Sequence, residues 1–158
     1  MAIDKNQAVI DFLMTCPAIK DSDLYFNFTQ AEENSKQILT LANEKILNKA
    51  FIDGSVYKRY TFTLVDFKAM TPKPIIQDRL DENVDNMLQV QDIIDWVTEQ
   101  NDNHMYPDFG ENCEIDEIRA LTDNPKLNGV DSSIAPALAK YSVSIQIDYL
   151  DTSKRLWN

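Results

Sequence analysis

The C-terminal part of the chain constrains the fold most, because apolar and polar residues alternate there almost without interruption between positions 139 and 149. The odd positions are apolar and the even ones polar: Tyr141, Val143, Ile145, Ile147 and Tyr149 against Lys140, Ser142, Ser144, Gln146 and Asp148. A period of two is typical of a β-strand with one buried face. The pattern predicts a strand whose odd face packs on the core and whose even face meets water or a polar interface.

Two amphipathic helices are predicted, one over residues 4–15 and one over residues 81–100. Asp4 is expected to cap the first helix, with Gln7 three residues on in a capping-box arrangement. Pro17 ends this helix, because the residue before a proline avoids helical backbone angles. The second helix is expected to bury one apolar arc, formed by Val84, Met87, Leu88, Val90, Ile94 and Val97.

Strand patterns occupy much of the remaining chain. Residues 23–30 alternate, and residues 113–121 form a further strand before the final one. Residues 43–52 and 55–67 flank Asp53-Gly54, a sequence that favours a hairpin turn because glycine tolerates a positive φ angle.

Two segments are expected to lack regular structure: a polar connection at residues 31–37 and a long, turn-rich loop at residues 122–136. The resulting order is α-β-β-β-α-β-β. It predicts a single α+β domain over residues 1–158, with a mostly antiparallel sheet of about four to five strands packed by two helices.

Several classes of chemistry find no support in the sequence. Only three glycines occur, which argues against the Gly-rich loops that bind phosphates. Cys16 and Cys113 show no metal-ligand spacing and are expected to be reduced thiols, as in a cytoplasmic compartment. The single histidine, His104, has no nucleophile or carboxylate at a telling spacing. The N-terminus is acidic and no apolar run is long enough for a membrane span, so neither export nor membrane insertion is expected.

The negative charge is concentrated in the second half of the chain. Residues 1–79 hold ten basic and ten acidic side chains, whereas residues 80–158 hold five basic and sixteen acidic ones. The second half therefore carries the whole net charge of −11. Such a field repels nucleic acid, so sequence-specific DNA or RNA binding is not expected.

Four acids lie close together around residue 80: Asp78, Asp81, Glu82 and Asp85. One interpretation is a divalent-cation site of a metal-dependent enzyme, which needs three or more converging oxygen ligands. The other is the start of a helix, where the macrodipole stabilises negative charge. The second is favoured, because neither a calcium-loop spacing nor a histidine ligand accompanies the acids. No catalytic residue, cofactor or bound metal is therefore predicted.

Trp96 lies among the acids of the second predicted helix. Asp85, Asp92 and Glu99 line the face opposite the apolar arc at seven-residue spacing. Either a neighbouring loop covers the tryptophan, or it is an exposed contact residue for a partner, since tryptophan is enriched in interface hot spots.

The last residues, 151–158, form a possible extended tail with basic and aromatic character. It contains Lys154, Arg155 and Trp157. Two interpretations are open: the tail packs on its own domain, or it docks on an acidic surface of a neighbouring copy.

The layout of the chain resembles that of a known family. The segments "AVIDFL", "FIDGSVYKRYTFTLVDF", "NMLQVQDIIDWV" and "ALAKYSVSIQIDYL" follow one another as in the tail-terminator proteins of long-tailed bacteriophages and the similar minor capsid proteins of phages of Gram-positive hosts. The resemblance covers most of the chain and rests on layout and strand style. It implies a virion protein, made in the host cytoplasm, that forms a hexameric ring, caps the tail tube and joins the tail to the head connector.

On that basis the expected partners are further copies of the chain, the tail tube protein and the head–tail connector protein. A ring pairs unlike surfaces of adjacent copies, and the basic hairpin around Lys58 and Arg59 is expected to face the acidic half of a neighbour. The full set of expected interface residues is Lys58, Arg59, Asp85, Asp92, Trp96, Glu99, Lys154, Arg155 and Trp157. Two other hypotheses remain: a non-phage adaptor acting as a monomer or dimer, and a metal-dependent enzyme using the acids near residue 80.

The alternation at the C-terminus makes a direct prediction about stability. Ile145→Asp should unfold the domain, because burying an unpaired carboxylate costs several kcal/mol out of a total stability of about 5–15 kcal/mol. Ser144→Asp, on the even face, should be tolerated. Equal melting temperatures of the two variants would show that the faces are wrongly assigned.

Overall fold

The structure is a computed structural model that describes residues 4–27, 32–40, 45–133, 135 and 137–156, with backbone alone for residues 45–50. In chain order the elements are α1 (Lys5–Leu13), β1 (Leu24–Phe26), β2 (Lys36–Thr40), β3 (Lys45–Ala50), β4 (Val56–Ala69), α2 (Glu82–Asp102), β5 (Cys113–Ala120), β6 (Lys126–Asp131) and β7 (Leu138–Asp151). The predicted α+β class and the mostly antiparallel sheet are confirmed.

The predicted strand count is too low, because the described residues form seven strands rather than four or five. The strand β2 lies partly in the segment expected to be a polar connection, and β6 lies in the expected loop. Neither shows a readable alternation: β2 buries a lysine beside a single buried apolar residue, Ile38, and β6 is exposed along most of its length. One strand pair is also parallel, that of β1 with β2.

Two long strands form the centre of the sheet. They are β4 and β7, which pair antiparallel along their whole length, from Val56 opposite Asp151 to Ala69 opposite Leu138. The outer side of β4 is lined by β2 and β3, and the outer side of β7 by β5 and β6. On each side, the two shorter strands lie end to end along the long strand with which they pair.

The core lies on one face of this sheet, beneath both helices. The odd positions of β7 from Tyr141 to Tyr149 are almost fully buried there, which confirms the predicted alternation. The far face is polar at its centre, where the hydroxyls of Thr63 and Ser144 lie 3.1 Å apart. A small apolar cluster of Val65, Phe67 and Leu138 lies near the end of that face.

Both helices begin as predicted. The side chain of Asp4 accepts a hydrogen bond from the backbone N–H of Asn6, and Asp81 caps α2 through the N–H groups of Asn83 and Val84. The capping box is not formed as expected, because the amide of Gln7 donates to Asp11 instead. Neither described helix combines the length and the apolar character needed to cross a membrane.

The predicted apolar arc of α2 is wrong in its first half. Val90, Ile94 and Val97 are buried, together with Ile93. The earlier members Val84, Met87 and Leu88 are exposed. The beginning of α2 is held by polar contacts: the Asn86 amide donates to the carbonyl of Ala69 (2.9 Å), and the Asn83 amide donates to the carbonyl of Thr71 (2.9 Å).

The C-terminal segment folds back on its own domain instead of extending from it. The Arg155 Nε lies 3.0 Å from Oδ2 of Asp53 and 3.2 Å from Oγ of Ser55. The backbone N–H of Leu156 donates to the carbonyl of Asp53 (2.6 Å). The first of the two interpretations therefore describes the tail as far as Leu156, and Trp157 lies outside the described residues.

The hairpin turn under this tail requires glycine, which gives a test of the tail's position. Gly54 has φ +92°, and a Cβ there would lie 2.3 Å from the carbonyl oxygen of Lys154. Gly129 also has a positive φ, +141°, but a Cβ there meets nothing within 4 Å. Gly54→Ala should therefore lower the free energy of unfolding more than Gly129→Ala, since only the first adds a clash to the backbone strain of about 1–2 kcal/mol.

Urea denaturation of the two variants measures this difference, and hydrogen exchange of the Leu156 amide reports whether the tail is released. Equal stabilities with unchanged Leu156 exchange would contradict the packing of the tail against the turn.

Candidate functional site

A run of exposed apolar side chains precedes and opens α2. We call it the 75–88 surface; its side chains are between 36% and 81% exposed and comprise Ile75, Ile76, Leu80, Val84, Met87 and Leu88. The segment before α2, residues 72–80, is exposed at every position and has no helix or strand. Pro72 and Pro74 restrict its backbone and favour an extended shape.

A groove of about 500 Å³ lies at the other end of α2. Helix α1 forms one wall, and residues 105–108 with Gln100 of α2 form the other. Ala8 and Phe12 line the groove from α1 and Pro107 lines it from the opposite wall, although all three are largely buried. Met105 adds an apolar side chain that is exposed.

Three carboxylates line this groove, on Asp4, Asp11 and Asp108. Each is fixed by a local hydrogen bond: Asp4 accepts from the N–H of Asn6 (2.9 Å), Asp11 from the amide of Gln7 (2.8 Å), and Asp108 from the N–H of Gly110 (2.9 Å). The lining includes no lysine or arginine. The groove therefore combines an apolar floor with an acidic rim.

Trp96 supports the floor of the groove from inside the protein. Its ring lies 4.9 Å from that of Phe12, centroid to centroid, and its side chain is half-buried against the core. The tryptophan is therefore covered, as one of the two interpretations expected, although helix α1 rather than a loop covers it.

The two basic residues of the hairpin that were expected at an interface already have partners within the chain. Lys58 Nζ lies 2.7 Å from Oδ2 of Asp151, and the Arg59 guanidinium donates to both carboxylate oxygens of Asp148, at 2.7 and 3.1 Å. Burial works against ionisation of Asp151, but the bonds from Lys58 and Ser153 outweigh it and lower its pKa to about 2. Lys58 and Arg59 therefore present little uncompensated positive charge.

The acidic residues expected at an interface lie along α2. Asp92 and Glu99 are exposed, and Asp85 accepts a hydrogen bond from the amide of Gln89 (3.0 Å). The helix contains six acidic residues and no basic one. Lys154 is exposed on the folded-back tail, whereas Arg155 is paired with Asp53.

A buried charge cluster under α2 was not predicted from the sequence. Lys36 and Asp66 are each 2% exposed, and Lys68 is 5% exposed. Both lysines approach the one carboxylate: Nζ of Lys36 lies 3.5 Å from Oδ1, and Nζ of Lys68 lies 3.7 Å from Oδ2. Oδ1 of Asp66 has no hydrogen-bond partner among the described residues.

Neutral groups complete the solvation of the two lysines. Lys36 donates to the hydroxyl of Ser22 (2.8 Å), and Lys68 donates to the side chains of Asn34 and Gln89 (3.0 Å each). Burial lowers the pKa of Lys36 and raises the pKa of Asp66. The cluster ties the segment before β2 and the start of α2 to the sheet.

The other residues considered for catalysis or metal binding are held in surroundings that serve the fold. Cys16 is buried, and this burial raises its thiol pKa. Nδ1 of His104 lies 3.1 Å from the hydroxyl of Tyr106, which donates to the carbonyl of Asp116. Asp81 serves as the helix cap. Within the described part of the chain, no group of three or more His, Cys, Asp or Glu side chains is placed to hold a metal ion.

Comparison with known proteins assigns no family to the chain. No protein-family model and no curated protein matches it. The resemblance to tail terminators therefore stays a prediction, and the function has to be argued from the surfaces described above.

In the buried cluster, removing the single negative charge and removing one of the two positive charges should affect stability differently. Asp66→Asn should lower the free energy of unfolding by about 3–5 kcal/mol, because it leaves two buried lysines without a counter-charge. Lys36→Met should stay within about 1 kcal/mol of the wild type or exceed it, because one lysine and one carboxylate remain. Chemical denaturation at neutral pH measures both, and equal losses would contradict the assigned geometry.

A comparison of the wild type with Lys36→Met also tests the pKa of Lys36. The pKa is lowered below its ordinary value of 10.5 on folding, so the unfolded chain binds more protons between the two pKa values. Stability therefore rises with pH in this window. The wild type should gain stability relative to Lys36→Met as the pH approaches 10.5, and a constant difference across the window would show that Lys36 is not desolvated.

Proposed function

We propose that this protein is a structural subunit of a homo-oligomeric ring of the tail-terminator class, which caps a phage tail tube and joins it to the head connector. The 75–88 surface carries the proposal. It places six large apolar side chains in contact with water within one short stretch of chain. Six exposed apolar side chains this close together along the chain favour burial against another protein, because monomeric proteins rarely expose large apolar patches.

The surroundings of this surface suit a permanent contact. The start of α2 is fixed to the sheet by Asn83, Asn86 and Gln89, so its exposed side chains stand on a rigid support. Rigid surfaces lose little conformational entropy on association. The tail tube and the head connector are the further partners that the resemblance implies.

The acidic surface of α2 is compatible with a passage for DNA. Its exposed carboxylates, such as Asp92 and Glu99, have no basic neighbour within the helix. A wall of negative charge repels the phosphate backbone and prevents adhesion. A structural role of this kind requires no catalytic residue, metal or cofactor.

The test measures self-association of the purified chain by sedimentation velocity over a range of protein concentrations. We expect oligomers in the wild type and a loss of about tenfold or more in association for Leu88→Asp, since a charge placed in an apolar contact costs more than 1.4 kcal/mol. Leu127→Asp is the matched control, because Leu127 is 46% exposed and Leu88 is 51% exposed, on different elements.

A wild-type chain that stays monomeric at high concentration, in low and high salt and in the presence of tail tubes, would overturn the proposal. It would favour an adaptor that acts as a monomer.

A further inference from the structure

We infer that the contact between copies is head to tail: residues 72–80 of one copy insert into the groove beside α1 of the next. The inference rests on the proposed ring, and it names the two surfaces that meet. We call residues 72–80 the plug, and the groove lined by α1 and residues 105–108 the socket.

The plug has the composition of an inserting segment. Ile75 is 81% exposed and Ile76 is 56% exposed, so both apolar side chains are available to a partner. Lys73 and Arg79 flank them and are also exposed. The two prolines reduce the number of conformations that the segment loses on binding, which lowers the entropic cost.

The socket has the complementary composition. Its lining offers the isoleucines the exposed side chain of Met105, beside the largely buried Ala8, Phe12 and Pro107. The carboxylates of Asp11 and Asp108 on its rim suit the lysine and the arginine of the plug. A volume of about 500 Å³ is in the range of pockets that hold several side chains.

The positions of plug and socket exclude a contact within one chain. The plug precedes Asp81 at the start of α2, whereas the socket includes Gln100 near its end. This helix has 21 residues, so the two sites lie about 30 Å apart at 1.5 Å per residue. Two unlike surfaces at opposite ends of a subunit produce a heterologous contact, which generates a ring when the rotation between neighbouring copies closes.

Complementation between two variants separates this arrangement from a symmetric one. The plug variant, Ile75→Asp/Ile76→Asp, keeps an intact socket; the socket variant, Asp11→Lys/Asp108→Lys, keeps an intact plug. We expect each alone to sediment as a monomer with a wild-type circular dichroism spectrum. Mixed in equal amounts they should form heterodimers and nothing larger, because only one functional contact remains per pair.

A symmetric contact between two 75–88 surfaces gives a different result. The socket variant would then form closed dimers, and the mixture would contain no heterodimer; this outcome overturns the inference. A socket variant that still forms oligomers larger than dimers would overturn the inference while the proposed ring stands. Ile52→Asp is the matched control for the plug, because Ile52 is 92% exposed on the hairpin turn. It should assemble normally.

A peptide experiment tests the contact even if the free chain does not assemble. The probe is a synthetic peptide of residues 70–81, titrated into the plug variant carrying Trp157→Phe, and the readout is the fluorescence of Trp96 beside Phe12. We expect saturable binding that weakens about tenfold in the presence of Asp11→Lys/Asp108→Lys. A peptide with Lys73→Glu/Arg79→Glu should show the reverse preference.

Absence of saturation at about 1 mM peptide, which corresponds to less than about 4 kcal/mol of binding free energy, overturns the inference. Peptide binding in a chain that never oligomerises supports the plug and socket but contradicts the ring. The two failures are therefore distinguishable.

Discussion

The pairing of β4 with β7 is the interaction on which the rest of the structure depends. Fourteen consecutive residue pairs join the two strands, and every other strand except β1 pairs with one of them. Because side chains on paired strands share a face, this one register places Tyr60, Phe62 and Leu64 beside the apolar residues of β7. A slip of one residue would place the two apolar sets on opposite faces of the sheet, so the helices would cover only one of them.

The two ends of α2 are attached to this sheet by different physical interactions. Its second half is buried through apolar residues such as Ile93 and Val97. Its first half rests on hydrogen bonds, including that from the buried Lys68 to Gln89. Because the first half is attached by polar contacts, its apolar side chains are not buried by the fold, and they form the helical part of the 75–88 surface. The buried charge cluster and the exposed apolar surface are therefore related consequences of one local arrangement.

This difference between the two halves of α2 suits a protein whose function depends on binding to other copies or partners. A chain that buried Val84, Met87 and Leu88 internally would gain stability as a monomer and lose a binding surface. Here the apolar surface and the acidic groove lie at opposite ends of one rigid helix, so neither can satisfy the other within a subunit. The ion pairs of Lys58 and Arg59, by contrast, are satisfied inside the chain and stabilise the central strands.

The sequence by itself determined the periodic elements: both helices, the cap of the first at Asp4, the hairpin at Gly54 and the two faces of β7. These follow from interactions over a few residues, which leave a regular pattern in the chain. Tertiary structure alone decided the rest. The strand β2 was missed because a buried lysine, paired with Asp66 from a distant strand, interrupts its pattern. The groove, the cover over Trp96 and the exposure of Leu88 were also decided there, because burial depends on which distant segments meet, and no local period records that.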